Sequence, residues 1–404
     1  MRYRGISAAL AALLLSGALA PAAVAAPTPS DGPTTHAVPP PAPTPTDSGN
    51  SPGAPDPHPG VGGIGPDGRP VGGAALLGRH LVLPPGTTRP PAAVTARAWI
   101  VVDLDDGDVL AASDPHGRYQ PASIQKLLTT VTLLPLLPGD RRVVVSRKAA
   151  ETEGSHAGLV GGGSYTVDQL FRSLLLVSGN DAAEALAEAA GGRAKTVALM
   201  NTVVQQLGGY DTYVETPSGL DGWRQLTSAY DMALVLRAAL AQPRFLAYDR
   251  ALRATLPVQR INGFGPVHLE NQNALFLTEV KGALVAKTGF TDAAQHTFVG
   301  AIERGGHRYG VVLLRGQRWP NDQWQQATKL VTWAASFPAG TAPVGTLVTP
   351  GPPSAAGSSK AATRHALGAS GSTSPGGSYA MQILALAALL AVALACGWRF
   401  ARTR

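Results

Sequence analysis

Cysteine is almost missing: Cys396 is the one thiol in 404 residues. A single thiol excludes an intrachain disulfide framework and any cysteine-rich metal site. Charged residues make up only 15% and aromatics 6%. His156, His268, His296 and His307 are scattered, with no H-x-x-x-H or H-x-H spacing. Zinc-dependent chemistry is therefore not expected, and these histidines read as ordinary polar or packed side chains. Asp105-Asp106-Gly107-Asp108 hints at calcium but lacks the later ligands of a calcium loop, so a hairpin turn suffices. No metal and no cofactor is expected.

Present in excess are basic residues and proline. The balance is 33 Lys+Arg against 26 Asp+Glu, a formal +7, which would fit nucleic acid, phosphates or a membrane surface. The positions of five arginines decide otherwise. Arg2 and Arg4 precede an apolar stretch, Ile6 to Ala20, and an A-x-A site, Ala23-Val24-Ala25. That order predicts a signal peptide over residues 1–25, cut after Ala25 rather than Ala26, where Pro27 would begin the product. An uncleaved anchor is the alternative, and either way the chain is exported. Arg399, Arg402 and Arg404 directly follow Ala380 to Trp398, an uncharged stretch close to the ~20 residues that a bilayer helix needs. Tyr379 and Trp398 sit where interfacial aromatics belong, predicting a transmembrane helix over 379–398 and a cytoplasmic tail over 399–404. Cys396, inside that segment, reads as an inert small hydrophobe. Setting the five arginines aside leaves +2, so no nucleic-acid surface is expected.

Of 34 prolines, 18 fall in residues 27–91, 9 in 92–337 and 6 in 338–378. Residues 26–91 therefore read as a Pro-rich disordered arm, with Leu76 to Leu83 the place where order can begin. Residues 338–378, rich in Gly, Ser and Pro, read as a flexible stalk. The folded domain is expected over 92–337, long enough for one large core.

That domain opens with a strand pair, Ala98 to Leu104 and Asp108 to Ser113, across a turn at Asp105-Asp106-Gly107. Leu127, Leu128, Val131 and Leu134 follow helical spacing, which Pro135 ends. Thr166 to Val177, Ala182 to Ala190, Ala194 to Leu207 and Ser228 to Leu240 are further helices. Strands return at Ala283 to Thr288, His296 to Glu303 and Arg308 to Leu314, and a helix over Asp322 to Ala335 closes the unit. Strands at both ends around a helical middle predict an α+β domain, its sheet joining the two chain ends.

Three short motifs carry chemistry. Ser123-Ile124-Gln125-Lys126 stands at the mouth of a helix, where i and i+3 share a face, so the Lys126 amine meets the Ser123 hydroxyl. A serine needs a base to act as a nucleophile, and a desolvated lysine crowded by other cations can be neutral enough to serve. Ser178-Gly179-Asn180 breaks two helices: the hydroxyl can relay a proton, and the amide can hold a peptide carbonyl and orient Lys126. Lys287-Thr288-Gly289 ends a strand, whose alternation sends Lys287 and Gly289 to one face. Lys287 can hold an anionic terminus, Thr288 can add a hydroxyl, and Gly289 leaves room for a substrate chain. Backbone N–H groups of Ser123 and Phe290 could form an oxyanion hole. Each motif alone has an ordinary structural reading as a cap, a turn or an edge strand.

In this order and on these elements, S-x-x-K, S-x-N and K-T-G are the signature of penicillin-binding proteins and class A β-lactamases. From about Ala98 to Ser336 the chain resembles the D-alanyl-D-alanine carboxypeptidase family of low-molecular-weight penicillin-binding proteins. The likeness lies in YQPASIQKLLT, YTVDQLFRSLLLVSGNDAAEALAEAAGG, the middle region with ETPSGLDG, and VAKTGFTDAAQHTFVGAIERGGHRYGVVLL. It implies a penicilloyl-serine-transferase fold and removal of the terminal D-alanine from peptidoglycan stem peptides, with β-lactams as covalent inhibitors. It also implies roles: Ser123 the acylated nucleophile, Lys126 its base, Ser178 and Asn180 proton relay and positioning, Lys287 and Thr288 carboxylate binding, Gly289 access. Departures are Val285-Ala286 before the last motif, Gln295 where the following turn usually has Gly, and a neutral Gln272 where a basic residue can stand. Arg318 is a candidate to supply the missing cation. Glu215 stands near where a class A β-lactamase has its deacylating glutamate, but lacks that E-x-x-L-N context. A β-lactamase and a non-catalytic wall-binding protein remain the alternatives.

Overall fold

The computed structural model describes residues 62–349, apart from 260 and 262–264. The proposed signal peptide and membrane span lie outside the described residues; within these no helix is long and apolar enough to cross a membrane.

The sheet is built from both ends of the chain. Strands β1 (Leu81–Val82), β2 (Ala98–Asp103) and β3 (Asp108–Ser113) come first. Two small hairpins follow in the helical middle, β4 (Arg142–Val144) with β5 (Ser164–Thr166) and β6 (Arg253–Leu256) with β7 (Val267–Glu270). Then come β8 (Ala283–Thr291), β9 (Gln295–Arg304), β10 (His307–Gly316) and β11 (Gly345–Thr346). The main sheet has the order β1-β3-β2-β10-β9-β8, with β11 also on β3. Strand β8 is thus an edge, and the early strands join the late ones where β2 meets β10.

Both faces of this sheet are covered, which explains the unbroken apolar run of β2. Successive side chains point to opposite faces. Ala98, Ile100 and Val102 enter the core shared with the helices, while Trp99 and Val101 enter a second core. The second core is roofed by the last helix, and Trp99 meets Trp333 edge-on at 6.2 Å.

The helical middle comprises α1 (Gln125–Leu133), α2 (Arg147–Ala150), α3 (Val167–Leu176), α4 (Asn180–Ala189), α5 (Arg193–Gln206), α6 (Ala229–Leu240) and α7 (Pro243–Asp249). Short α8 (Ala274–Leu277) precedes the late strands, and α9 (Gln323–Ala334) follows them. Local chemistry sets the boundaries. Thr166 and Gln169 form a capping box for α3, and the Ser228 hydroxyl accepts the Asp231 N–H at the start of α6. The mixed architecture is the expected α+β arrangement.

Two boundaries need correction. Much of residues 62–91, assigned to the disordered arm, belongs to the fold. Val71, Leu76 and Val82 are buried, β1 pairs with β3, and the Gly63 N–H donates to the buried Asp211 carboxylate at 3.1 Å. Likewise Gly345–Thr346, assigned to the stalk, pairs with β3 and Leu347 is buried. Three or four anchors within a Pro/Gly-rich stretch suffice to fix it when they enter an existing core, and composition averages them away.

Candidate active site

The nucleophile motif begins in a strained turn. A single-turn 3-10 helix, Ala122–Ile124, leads into α1, and Ala122 has φ +48°. Lys126, fully buried at the start of α1, brings its Nζ to three oxygens: Ser123 Oγ at 2.8 Å, Asn180 Oδ1 at 2.7 Å and the Ser218 carbonyl at 2.7 Å. The Asn180 amide is oriented from its other end, where Nδ2 donates to the Glu153 carbonyl at 2.7 Å. Burial pushes the Lys126 ammonium well below its ordinary range, and the Lys287 charge pushes it further, against a smaller pull from Asp181.

A neutral amine has two hydrogens and one lone pair. Two of its three partners, the Asn180 amide oxygen and the Ser218 carbonyl, can only accept. The two N–H bonds therefore go to them, and the lone pair is left for the Ser123 hydroxyl, the one partner with a proton to give.

Ser178 lies on the facing wall in a left-handed conformation, φ +61°. It is 8% exposed, and its Oγ has no hydrogen-bond partner among the described residues. Strain of this sort costs about 1–3 kcal/mol and persists only where the surroundings impose it. Here Asp181 imposes it: its carboxylate accepts from the N–H groups of Ala157, Gly158 and Leu159, and Asn180 N–H donates to the Ser155 carbonyl.

The edge strand β8 supplies the third side. Lys287 and Gly289 are buried while Thr288 and Phe290 are exposed, as strand alternation requires. Gly289 lies so close to the nucleophile turn that a Cβ there would sit 2.6 Å from Ser123 N and 2.5 Å from Thr297 Oγ1. Burial lowers Lys287 to about 8, partly offset by the neighbouring Asp249 carboxylate. Asp249 is itself raised to about 7 by burial, against the Ala286 N–H and the Lys287 charge.

Ser123, Ser178, Lys287, Thr288, Gly289 and Phe290 line one cavity of about 410 Å³, with Gln272 and Arg318 also on its wall. Lys126 stands behind it as Ser123's partner, and Asn180 as the partner of Lys126. All eight residues singled out by the motifs are thus brought together. Arg318 reaches this wall, paired with Asp322 at 2.6 Å. Gln295, the departure from Gly, has φ +57°; its side chain donates to the Asp292 carbonyl and accepts from Gln317. Glu215 is not on the cavity wall, and its carboxylate accepts the Arg224 N–H at 2.9 Å.

Motif reasoning missed Ser218, Asp181 and Asp249. Asp181 follows the second motif directly, a signal that was available. Ser218 acts through its carbonyl, and Asp249 is 38 positions before Lys287 in the chain, so neither has a spacing to reveal it. Sequence reasoning also passed over His116, whose Nδ1 lies 2.8 Å from Asp211 Oδ2. That cluster, with Asp231 and Arg118, sits away from the cavity, and both Asp211 oxygens already accept hydrogen bonds.

Residues 85–317 match the sequence pattern of a protein family described as D-alanyl-D-alanine carboxypeptidase. The D-alanyl-D-alanine carboxypeptidase DacB2 of Mycobacterium tuberculosis is 40% identical over 242 residues, which are 59% of this chain and 81% of that protein. The similarly named DacD of Salmonella typhimurium is 32% identical over 256 residues, 60% of this chain and 63% of its own length. A crystal structure of a D-alanyl-D-alanine carboxypeptidase from Mycobacterium tuberculosis H37Rv superimposes with a TM-score of 0.62 at 38% identity, covering 66% of this chain and all of that one.

Proposed function

The chain belongs to the D-alanyl-D-alanine carboxypeptidase family, a family of serine-type peptidases, and from that premise we propose that it trims peptidoglycan stem pentapeptides through an acyl-enzyme on Ser123. One observation carries the mechanism: of the three oxygens around Lys126 Nζ, only the Ser123 hydroxyl can donate. Lys126 takes that proton as Ser123 Oγ bonds to the carbonyl carbon of the penultimate D-alanine. The N–H groups of Ser123 and Phe290 face the oxyanion. Collapse breaks the peptide bond, and the proton taken by Lys126 passes through the Ser178 hydroxyl to the leaving amine, which leaves both groups as they began. Water, deprotonated by Lys126, then hydrolyses the ester and restores the Ser123 hydroxyl.

Lys287 and Thr288 hold the terminal carboxylate, with Arg318 available once it turns from Asp322. Asn180 positions the substrate amide and Lys126 together, and Gly289 admits the peptide beside β8. In the cell the protein is exported by residues 1–25. It is held at the outer face of the membrane by one helix over 379–398, with its substrate on the same side. The signal-peptide pattern and the arginines after Trp398 support that placement.

The test is covalent labelling together with product release. Full-length protein incubated with penicillin should gain one drug mass on Ser123, and Ser123→Ala should gain none. D-alanine should be released from a pentapeptide ending in D-Ala-D-Ala, and not by Ser123→Ala. Release that persists in the alanine variant would overturn the mechanism. Rapid turnover of the drug without an adduct would instead favour the β-lactamase reading.

A further inference from the structure

The proposed mechanism leaves one titratable side chain of the cavity wall unused, His296 on β9. Among the described residues neither of its ring nitrogens has a hydrogen-bond partner. Its polar neighbours on that wall are committed: Arg318 Nε meets Asp322 Oδ1 at 2.6 Å, and Gln323 Nε2 donates to the Gln317 carbonyl at 3.0 Å. The half-buried imidazole stacks instead on the Phe290 ring, 4.6 Å between centroids at 37°. Gly316 stands opposite it on β10 and lays no side chain over it. The ring is thus held by contact rather than by hydrogen bonds, and its nitrogens are left to a ligand.

Strand register sets this ring beside Thr288. In the antiparallel pair of β8 and β9, Phe290 is opposite His296 and Thr288 is opposite Phe298. Thr288 and His296 are therefore diagonal neighbours on one face, about 7–8 Å apart and within reach of an aromatic side chain. A carboxylate with one oxygen on the Thr288 hydroxyl can turn the other to the imidazole. In the protein alone burial lowers His296 most, the Arg318 charge lowers it further, and Asp322 opposes them. These two charges act from the segment after β10 and from the cap of α9, while β8 presents Phe290 and β10 presents Gly316. An entering carboxylate joins Asp322 in favouring the protonated ring.

We propose that His296 is a further carboxylate ligand of the active site, taking up a proton as the substrate's C-terminus binds beside Thr288. This rests on the carboxypeptidase reading and deepens it. The proton comes from solvent and returns there when D-alanine leaves. Binding and protonation then strengthen each other by the same factor. The sign follows from the free protein, where the ring titrates below its ordinary 6.5. Affinity for a free C-terminus rises as pH falls through that range. Lys287, at about 8, is charged throughout it and adds no pH dependence of its own there.

The experiment follows D-alanine release from a pentapeptide ending in D-Ala-D-Ala between about pH 7 and about pH 4.5, where the peptide's own carboxylate stays charged. Full-length parent and full-length His296→Gln are compared. Protonation of Lys126 slows both alike, so the ratio of kcat/KM, parent over variant, cancels it. That ratio should climb from near one toward about tenfold as pH falls, as expected for one charge-assisted hydrogen bond. A ratio that stays constant, whatever its size, would overturn the proposal, since lost support for Phe290 acts equally at every pH. A second measurement needs no variant. The parent's preference for the free carboxylate over the same peptide ending in a carboxamide should widen by a similar factor over the same window. A constant preference would overturn the proposal and leave the carboxypeptidase reading intact. No release from the carboxylate peptide at any pH would overturn both.

Discussion

At Lys126 and Lys287 the fold sets two amines to opposite tasks with the same device, burial. In the proposed mechanism Lys126 must be neutral to accept the Ser123 proton, and it is lowered both by burial and by Lys287. The same mechanism needs Lys287 charged to hold a carboxylate, and Asp249 offsets part of its burial penalty, leaving it at about 8. Acylation therefore rises with pH as Lys126 loses its proton and falls again as Lys287 loses its own, near 8. Removing the Asp249 charge withdraws an interaction that raises Lys287. In Asp249→Asn the alkaline limb of the penicillin acylation rate should accordingly move to lower pH, while the acid limb keeps its direction. An alkaline limb that stays in place would show that Asp249 does not hold the Lys287 proton. The Ser123–Lys126 pairing was legible in the sequence because i and i+3 share a helix face. The influence of Asp249 on Lys287 was not, since only the packing of α7 against β8 brings the two charges near each other.

Elements with strong internal period were legible almost to their ends: α3, α6, α9 and the strands β2, β3, β8, β9 and β10 all lie where alternation or helical spacing places them. Hairpin β4–β5 was not, with three residues per strand and alternately exposed side chains. Nor was α7, whose seven residues start at Pro243. Such short elements owe their form to neighbours rather than to their own pattern. The decisive contact between elements is the approach of β8 to the nucleophile turn. Thr297 on β9 donates to the Pro121 carbonyl at 2.9 Å, so turn and sheet edge move as one body. Gly289 is the residue that permits this spacing. Gly289→Ala places a Cβ against Ser123 N, Thr297 Oγ1 and the Ala122 Cβ at once. Backbone on one side and a tied threonine on the other give it no room. The turn must shift, and catalytic geometry tolerates about 1 Å before rates fall about 100-fold. Penicillin acylation of Gly289→Ala should fall by about that factor with the protein still folded; an unchanged rate would mean the strand, not the turn, had given way.

At the scale of the whole described fold, the cavity and the two ends of the described segment occupy opposite edges of one sheet. The cavity lies at β8, while β1 and β11 lie beyond β3, five strand spacings or about 24 Å away. Both ends of the described segment are tied down there: Thr346 N–H donates to the Gly72 carbonyl, and the Tyr230 hydroxyl donates to the Thr346 carbonyl. Residues 62–82 are thus a strap across the edge farthest from the groove, holding the points where the chain passes into residues 1–61 and 350–404. This arrangement separates stability from catalysis. Leu76, fully buried in the strap, has a Cγ only 2.8 Å from where a Cβ on Gly345 would stand. Leu76→Ala leaves a cavity between strap and C-terminal segment, and buried leucine truncations cost about 2–5 kcal/mol. Urea unfolding should register that loss, whereas the penicillin acylation rate of the folded variant should match the parent, since no cavity residue is touched. A fall in acylation equal to the fall in stability would show instead that the strap edge and the β8 edge are coupled through the sheet. If acylation holds, a force applied at the β1 and β11 edge leaves the β8 edge undisturbed.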